Sequence, residues 1–177
     1  MEALNELGKY SLLLYRALLS STEVSTYRKN LFSEFVKVGY ESIPIIMLTG
    51  VFTGAVLTLQ TAHQLDTGLF PAYTIGAIVS ESVLIELAAV ISALVLAGKV
   101  GARIATELGT MRVSEQIDAL ESMGFNSVSF LVVPRILAGV LMFPILYIAC
   151  SILGIFGGIT AGSLNGILPA AEFMKGA

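Results

Sequence analysis

Residues 42–65 contain no charged side chain. Folded as a helix rising about 1.5 Å per residue, a run of that length crosses the roughly 30 Å hydrocarbon core of a bilayer. A turn region at 66–71 (DTGLFP) separates it from a second apolar run at 72–98. A third uncharged run, 136–171, is longer than one span needs, and Pro144 is placed to kink it. Hydrophobic residues make up 55 % of the 177 and mean hydropathy is +0.85, outside the usual range of a soluble domain. The predicted fold class is all-α: a multi-pass membrane helical protein with an N-terminal interfacial helix, at least three transmembrane helices and a short cytoplasmic helix near residues 110–124.

The charges separate water from lipid along the chain. They cluster in residues 1–41 and 99–121, and elsewhere only Asp66, Glu81, Glu86, Arg135, Glu172 and Lys175 occur. Arg16, Arg28, Lys29 and Lys37 precede the first span, while Lys99, Arg103, Arg112 and Arg135 lie between the second and third. The loop between spans one and two has no Lys or Arg, so the positive-inside rule predicts a cytoplasmic N-terminus and a cytoplasmic charged segment. A net charge of −3 gives no reason to expect nucleic acid as a partner.

Two divisions follow, an interfacial segment at 1–41 and a membrane region at 42–177. In the first, Leu4, Leu7, Leu14 and Leu18 form one apolar stripe and Tyr27, Leu31, Phe35 and Val38 another. Helices of this kind lie along a bilayer surface, or pack on a soluble neighbour. No cleaved signal is expected, because Glu2 and Glu6 outweigh Lys9 where a basic region would stand. Cys150 lies in an apolar run and suits buried packing. With one His and one Cys, neither a metal site nor a nucleophile constellation can be assembled. His63 and Gln60 read as interface anchors.

In the charged segment Val113, Ile117, Leu120 and Gly124 recur at helical spacing, with Glu115, Asp118 and Glu121 on other faces. The expected helix has Thr110 as N-cap and Gly124 as its closing residue. Such a helix either docks in a partner's groove and transmits force, or is a solvated interfacial loop. Gly98-Lys99 is not a phosphate loop, since Ala93 and Val100 stand where Gly and Ser or Thr are required. Small residues recur as Gly50/Gly54, as Ala97/Gly101/Ala105/Gly109 and as Gly154/Gly158/Gly162, which suits close helix packing within the chain or a subunit interface. Glu81 and Glu86 fall inside the second apolar run, where an acidic side chain costs roughly 2.5–3.5 kcal/mol at the bilayer centre. Their presence implies a polar cavity, an interfacial position for Glu81, or a protonated structural role.

These residues carry a resemblance. The sequence GKVGARIATELGTMRVSEQIDALESMG (98–124), preceded by GVFTGAVLTLQ (50–60) and followed by LVVPRILAGVLMFP (131–144), resembles the MlaE/YrbE family of ABC-transporter permeases over essentially the whole chain. The resemblance implies an inner-membrane homodimer, each copy bound to an MlaF-type ATPase that holds ATP and Mg, with an MlaD-type MCE protein capping the pair. It implies transport of phospholipid, or a related hydrophobic molecule, between inner and outer membranes. No catalytic, cofactor or metal residue is then expected in this chain. Residues 113–123 resemble the family's coupling helix, with Glu107, Arg112, Glu115, Gln116, Asp118 and Glu121 as candidate contacts to the ATPase. Glu81 and Glu86 are the candidate polar lining of a lipid cavity, and Val51, Leu57, Leu59, Leu84 and Leu87 the candidate acyl contacts.

Where family members often read LRELGPV this chain has LIELAAV (84–90), so Glu86 is kept while Ile85 replaces an Arg. The family continues through further spans past the position of Ala177, so a truncated or shortened form is expected. Two other classes stay open on the residues alone: a membrane scaffold that recruits a cytoplasmic partner, and an ion-coupled carrier using the intramembrane carboxylates.

Overall fold

The computed structural model describes residues 7–8, 11–12, 28–65, 70–125 and 127–177. The expected apolar positions Leu4, Leu14, Leu18 and Tyr27, and most of the 66–71 turn, lie outside the described residues. In chain order the helices are α1 (Arg28–Val38), α2 (Ile43–Leu65), α3 (Tyr73–Ser82), α4 (Ala88–Val95), α5 (Gly101–Val113), α6 (Gln116–Ser122), α7 (Val133–Leu164) and α8 (Ala170–Gly176). Val83–Leu87, Leu96–Val100 and Val128–Val132 are π-helical. Among the described residues three helical stretches are long and apolar enough to cross a membrane: Leu31–Leu65, Tyr73–Val113 and Phe130–Leu164. The helix α7 runs unbroken through Pro144.

The chain divides into two compact units. One comprises Met1–Glu41 and Lys99–Met142. In it α1 turns Val38 inward and leaves Phe32 and Val36 exposed, while Leu31 and Phe35 are half-buried, so the predicted stripe is the packed one. Among the described residues, Leu131, Val133, Pro134 and Ala138 are the other buried apolar side chains of this unit. Gly39 sits against Met142, where a Cβ would lie 2.6 Å from the thioether methyl.

The other unit comprises Ser42–Gly98 and Phe143–Ala177. Its core is a close approach of α2 and α7. A Cβ on Gly50 would meet the Cys150 carbonyl at 2.9 Å, one on Gly54 would run into the Gly154 carbonyl, and one on Gly157 would run into that of Val51. Lipid gives helices no hydrophobic reason to associate, so backbone contact through small residues supplies the dispersion energy. Two of the three small-residue sets are therefore used inside the chain. Among the described residues the third is not: Ala97, Gly101, Ala105 and Gly109 are exposed, and nothing described lies within 4 Å of a Cβ placed on Gly101 or Gly109.

After α7 the chain reverses at Gly166, whose φ of 67° suits glycine, and α8 returns onto α3. Phe173 is fully buried, its backbone pressed against Gly76. Gly176 in turn lies against the Tyr73 carbonyl. Thr49, Thr53, Thr58, Ser80 and Ser151 return their hydroxyls to carbonyls three or four residues back, which satisfies them without water. Cys150 is buried and free, as its apolar setting predicts.

Candidate functional site

In the first unit the charges converge. Arg135, only 7 % exposed, donates from Nη2 to Glu107 Oε2 at 2.6 Å and faces Glu34 Oε1 at 3.7 Å. Glu107 also takes the Arg103 Nε hydrogen bond at 3.0 Å and lies 3.8 Å from Lys37 Nζ. Arg103 reaches back to Glu41 at 2.5 Å, and the Lys99 ammonium donates to the Glu41 carbonyl. Helices α1, α5 and the start of α7 are thus cross-linked by alternating charges, an arrangement in which each buried charge has an opposite neighbour. Beside the cluster is a cavity of about 440 Å³, lined by polar Glu34, Thr110 and Gln116 and by apolar Met111, Phe130 and Leu131.

The acidic helix differs from its predicted form. Thr110 is not its N-cap: it lies inside α5 and donates to the Thr106 carbonyl, and Ser114 does the same to Thr110. The chain breaks at Glu115, a left-handed residue with φ 58°, and α6 starts at Gln116. The expected stripe is broken with it, because Val113 belongs to the preceding helix and is 87 % exposed while Ile117 and Leu120 are half-buried. The predicted stop holds. Gly124, at φ 82°, donates its N–H to the Glu121 carbonyl and Phe125 donates to Leu120, the paired reversal that closes a helix on a glycine.

Of the residues assigned to coupling, Glu107 is turned into the ion cluster. Arg112 and Asp118 pair with each other at 2.5 Å across the Glu115 break, on the exposed surface. Glu115 and Gln116 are exposed, and Glu121 accepts a hydrogen bond from Ser127 at 2.7 Å. Sequence reasoning missed the cluster of Glu34, Lys37, Glu41, Lys99, Arg103 and Arg135. The available signal was Arg135 itself, a lone cation beside an apolar run, which requires an acidic partner that sequence distance does not name.

In the second unit Glu81 and Glu86 lie about 12 and 20 Å along the helix from Tyr73 at ~1.5 Å per residue. Both are exposed, and among the described residues neither forms an ion pair or a side-chain hydrogen bond. Leu84 and Ile85 share that exposed stretch. Val51 and Leu87 lie partly inside: the Val51 backbone meets Gly157, and Leu87 faces a small void with Gly50, Cys150 and Gly154. Leu57 and Leu59 are half-buried on α2. Only Leu84 of the five apolar candidates therefore stands with the two carboxylates on the exposed stretch. Among the described residues no group of His, Cys, Asp and Glu could hold a metal ion.

Among the described residues, three long apolar helical stretches and a polar helix between the second and third define an all-α multi-pass membrane protein. The chain belongs to the MlaE permease family: the family described as Permease MlaE matches residues 31–177. It is 36 % identical over 157 residues to a "Probable ABC transporter permease protein" of Rickettsia bellii, covering 88 % of this chain and 60 % of that protein. A Synechocystis protein of the same description is 41 % identical over 140 residues, covering 77 % and 51 %. The "Intermembrane phospholipid transport system permease protein MlaE" of Haemophilus influenzae is 35 % identical over 157 residues, covering 88 % and 59 %. The chain spans about three fifths of the length of the Rickettsia and Haemophilus relatives.

Proposed function

We propose that this chain is membrane-spanning sequence of an ATP-driven transporter that moves phospholipid, or a related hydrophobic molecule, between the inner and outer membranes. ATP and Mg are held by a separate MlaF-type ATPase, two copies of the permease form a homodimer, and an MlaD-type MCE protein caps the pair. The N-terminus and α6 face the cytoplasm, where Arg112, Glu115, Gln116, Asp118 and Glu121 meet the ATPase. Membership of the family and the wording of the Haemophilus relative support the substrate class.

One observation carries the lipid reading. Glu81 and Glu86 are exposed on an apolar helix without a partner among the described residues, and hydrocarbon does not tolerate that arrangement at roughly 2.5–3.5 kcal/mol per carboxylate. A cavity that admits a headgroup and its water resolves the cost. Leu84 and Ile85 beside them supply apolar wall for acyl chains.

Co-purification tests the proposal. The full-length protein isolated in mild detergent should carry a stoichiometric ATPase and bound phospholipid, both identified by native mass spectrometry. A non-nucleotide partner would favour a scaffold, and uptake driven by a pH gradient in the chain alone would favour an ion-coupled carrier; either result contradicts the proposal.

A further inference from the structure

Between α3 and α4 the helix widens. Val83–Leu87 is π-helical, and the Ala88 N–H donates to the Val83 carbonyl, five residues back. From Ala88 onward the ladder returns to four-residue spacing. A change from five-residue to four-residue spacing passes over one carbonyl. With Val83 taken by Ala88, the next α-type bond runs from residue 89 to residue 85, and the Leu84 carbonyl is left over. Tyr147 on α7 supplies the missing donor: its hydroxyl lies 2.6 Å from the Leu84 oxygen. The hydroxyls of Thr49, Thr53, Thr58, Ser80, Ser151 and Thr160 all return to their own helices, whereas that of Tyr147 crosses to another.

We propose that Tyr147 is a positioning residue: by holding the carbonyl that the π turn leaves over, it fixes the register of residues 83–87 and with it the direction in which Glu86 leaves the helix. One residue more or fewer in a turn rotates the helix beyond it by about 100°. Relaxation of the widened turn to an ordinary α turn would carry Glu86 around the helix relative to α3 and bring a neighbour such as apolar Ile85 or Leu87 to its place. An unpaired carbonyl in hydrocarbon is costly, so the wide turn persists only while a donor meets it. Pi turns of this kind occur frequently at functional sites. The consequence for transport rests on the reading of Glu86 as lining of the lipid cavity.

The sequence offers a direct probe. Leu-Ile occurs once, at 84–85, and Ile-Glu once, at 85–86. Carbonyl-13C leucine with 15N isoleucine therefore selects the Leu84 carbonyl by solid-state NMR, and carbonyl-13C isoleucine with 13C,15N glutamate selects Glu86, each signal being identified in the full-length chain by its loss on Ile85→Val. Both are measured on the full-length chain, in its complex, in phospholipid bilayers. Tyr147→Phe keeps the ring and removes the hydroxyl. It is expected to move the Leu84 carbonyl to higher field and to displace the Glu86 side-chain resonances. An unmoved Leu84 carbonyl overturns the hydrogen bond; a moved Leu84 with an unmoved Glu86 overturns the positioning role.

Transport separates the two readings. Tyr147→Phe and Glu86→Gln should each lower ATP-dependent phospholipid movement several-fold, and the double variant should be no worse than Glu86→Gln, because one acts through the other. Additive losses overturn the proposal. Full transport by Glu86→Gln alone would sink the lipid-cavity reading, while the NMR arm still decides Tyr147.

Discussion

Arg135 and Glu107 stand 28 residues apart in sequence and 2.6 Å apart in space, within a cluster of charges on α1, α5 and α7. Removing the carboxylate beside buried Arg135 takes away the nearest opposite charge of that cation. Glu107→Gln is therefore expected to cost about 3 kcal/mol, the low end for such a loss because Glu34 remains 3.7 Å from Arg135. Chemical unfolding in detergent measures it. A loss under about 1 kcal/mol would show that the pair behaves as an ordinary surface contact.

The glycines divide into two groups with opposite expectations. Gly54→Ala drives a methyl into the Gly154 backbone, and overpacking of that kind costs about 1–3 kcal/mol. Gly101→Ala and Gly109→Ala meet open space inside α5, so each should be neutral or should stabilise by up to about 1 kcal/mol. Thermal unfolding of the three variants side by side checks the contrast. Equal behaviour would contradict the assignment of Gly54 to the α2 and α7 contact.

Glu115 holds a left-handed backbone at the break between α5 and α6. Glycine adopts that conformation without the Cβ clash, so Glu115→Gly should stabilise the break by about 1 kcal/mol. Gly124→Ala should lose a similar amount at φ 82°. Hydrogen exchange of the α6 amides reads both changes, protection rising in the first and falling in the second.

Asp118→Lys replaces an attraction to Arg112 with a repulsion, but the pair is exposed and contributes at most about 1 kcal/mol. The spans should stay folded. Under the proposed function, ATPase binding and ATP-driven lipid movement should fall, and Glu115→Lys should act alike. Unchanged co-purification and unchanged transport in both variants would remove these residues from the coupling surface.

The spans were legible because hydropathy and charge clustering act over many residues at once. Residues 42–65 could hardly be anything else, and the glycine stop at Gly124 follows from one local rule. The start of α6 was not legible. Thr110 has the composition of a cap, yet Thr106, Thr110 and Ser114, four residues apart, bond back along a continuing helix, and the break falls at a glutamate with no local preference for φ above zero. The ion cluster was hidden for another reason, since pairing between Arg135 and Glu107 is decided by tertiary packing. Tyr147 was equally silent, because the carbonyl it meets is left over by the helix only once a turn widens.

The most direct measurement of the account is photocrosslinking from α6 in native membranes, with a benzophenone residue at Gln116 or Glu121 of the full-length protein. A covalent product with a nucleotide-binding subunit on the cytoplasmic side, weakened by Asp118→Lys, is the expected result. Labelling of either position from the opposite side of the membrane, or crosslinks to water-soluble reagent alone, would contradict it.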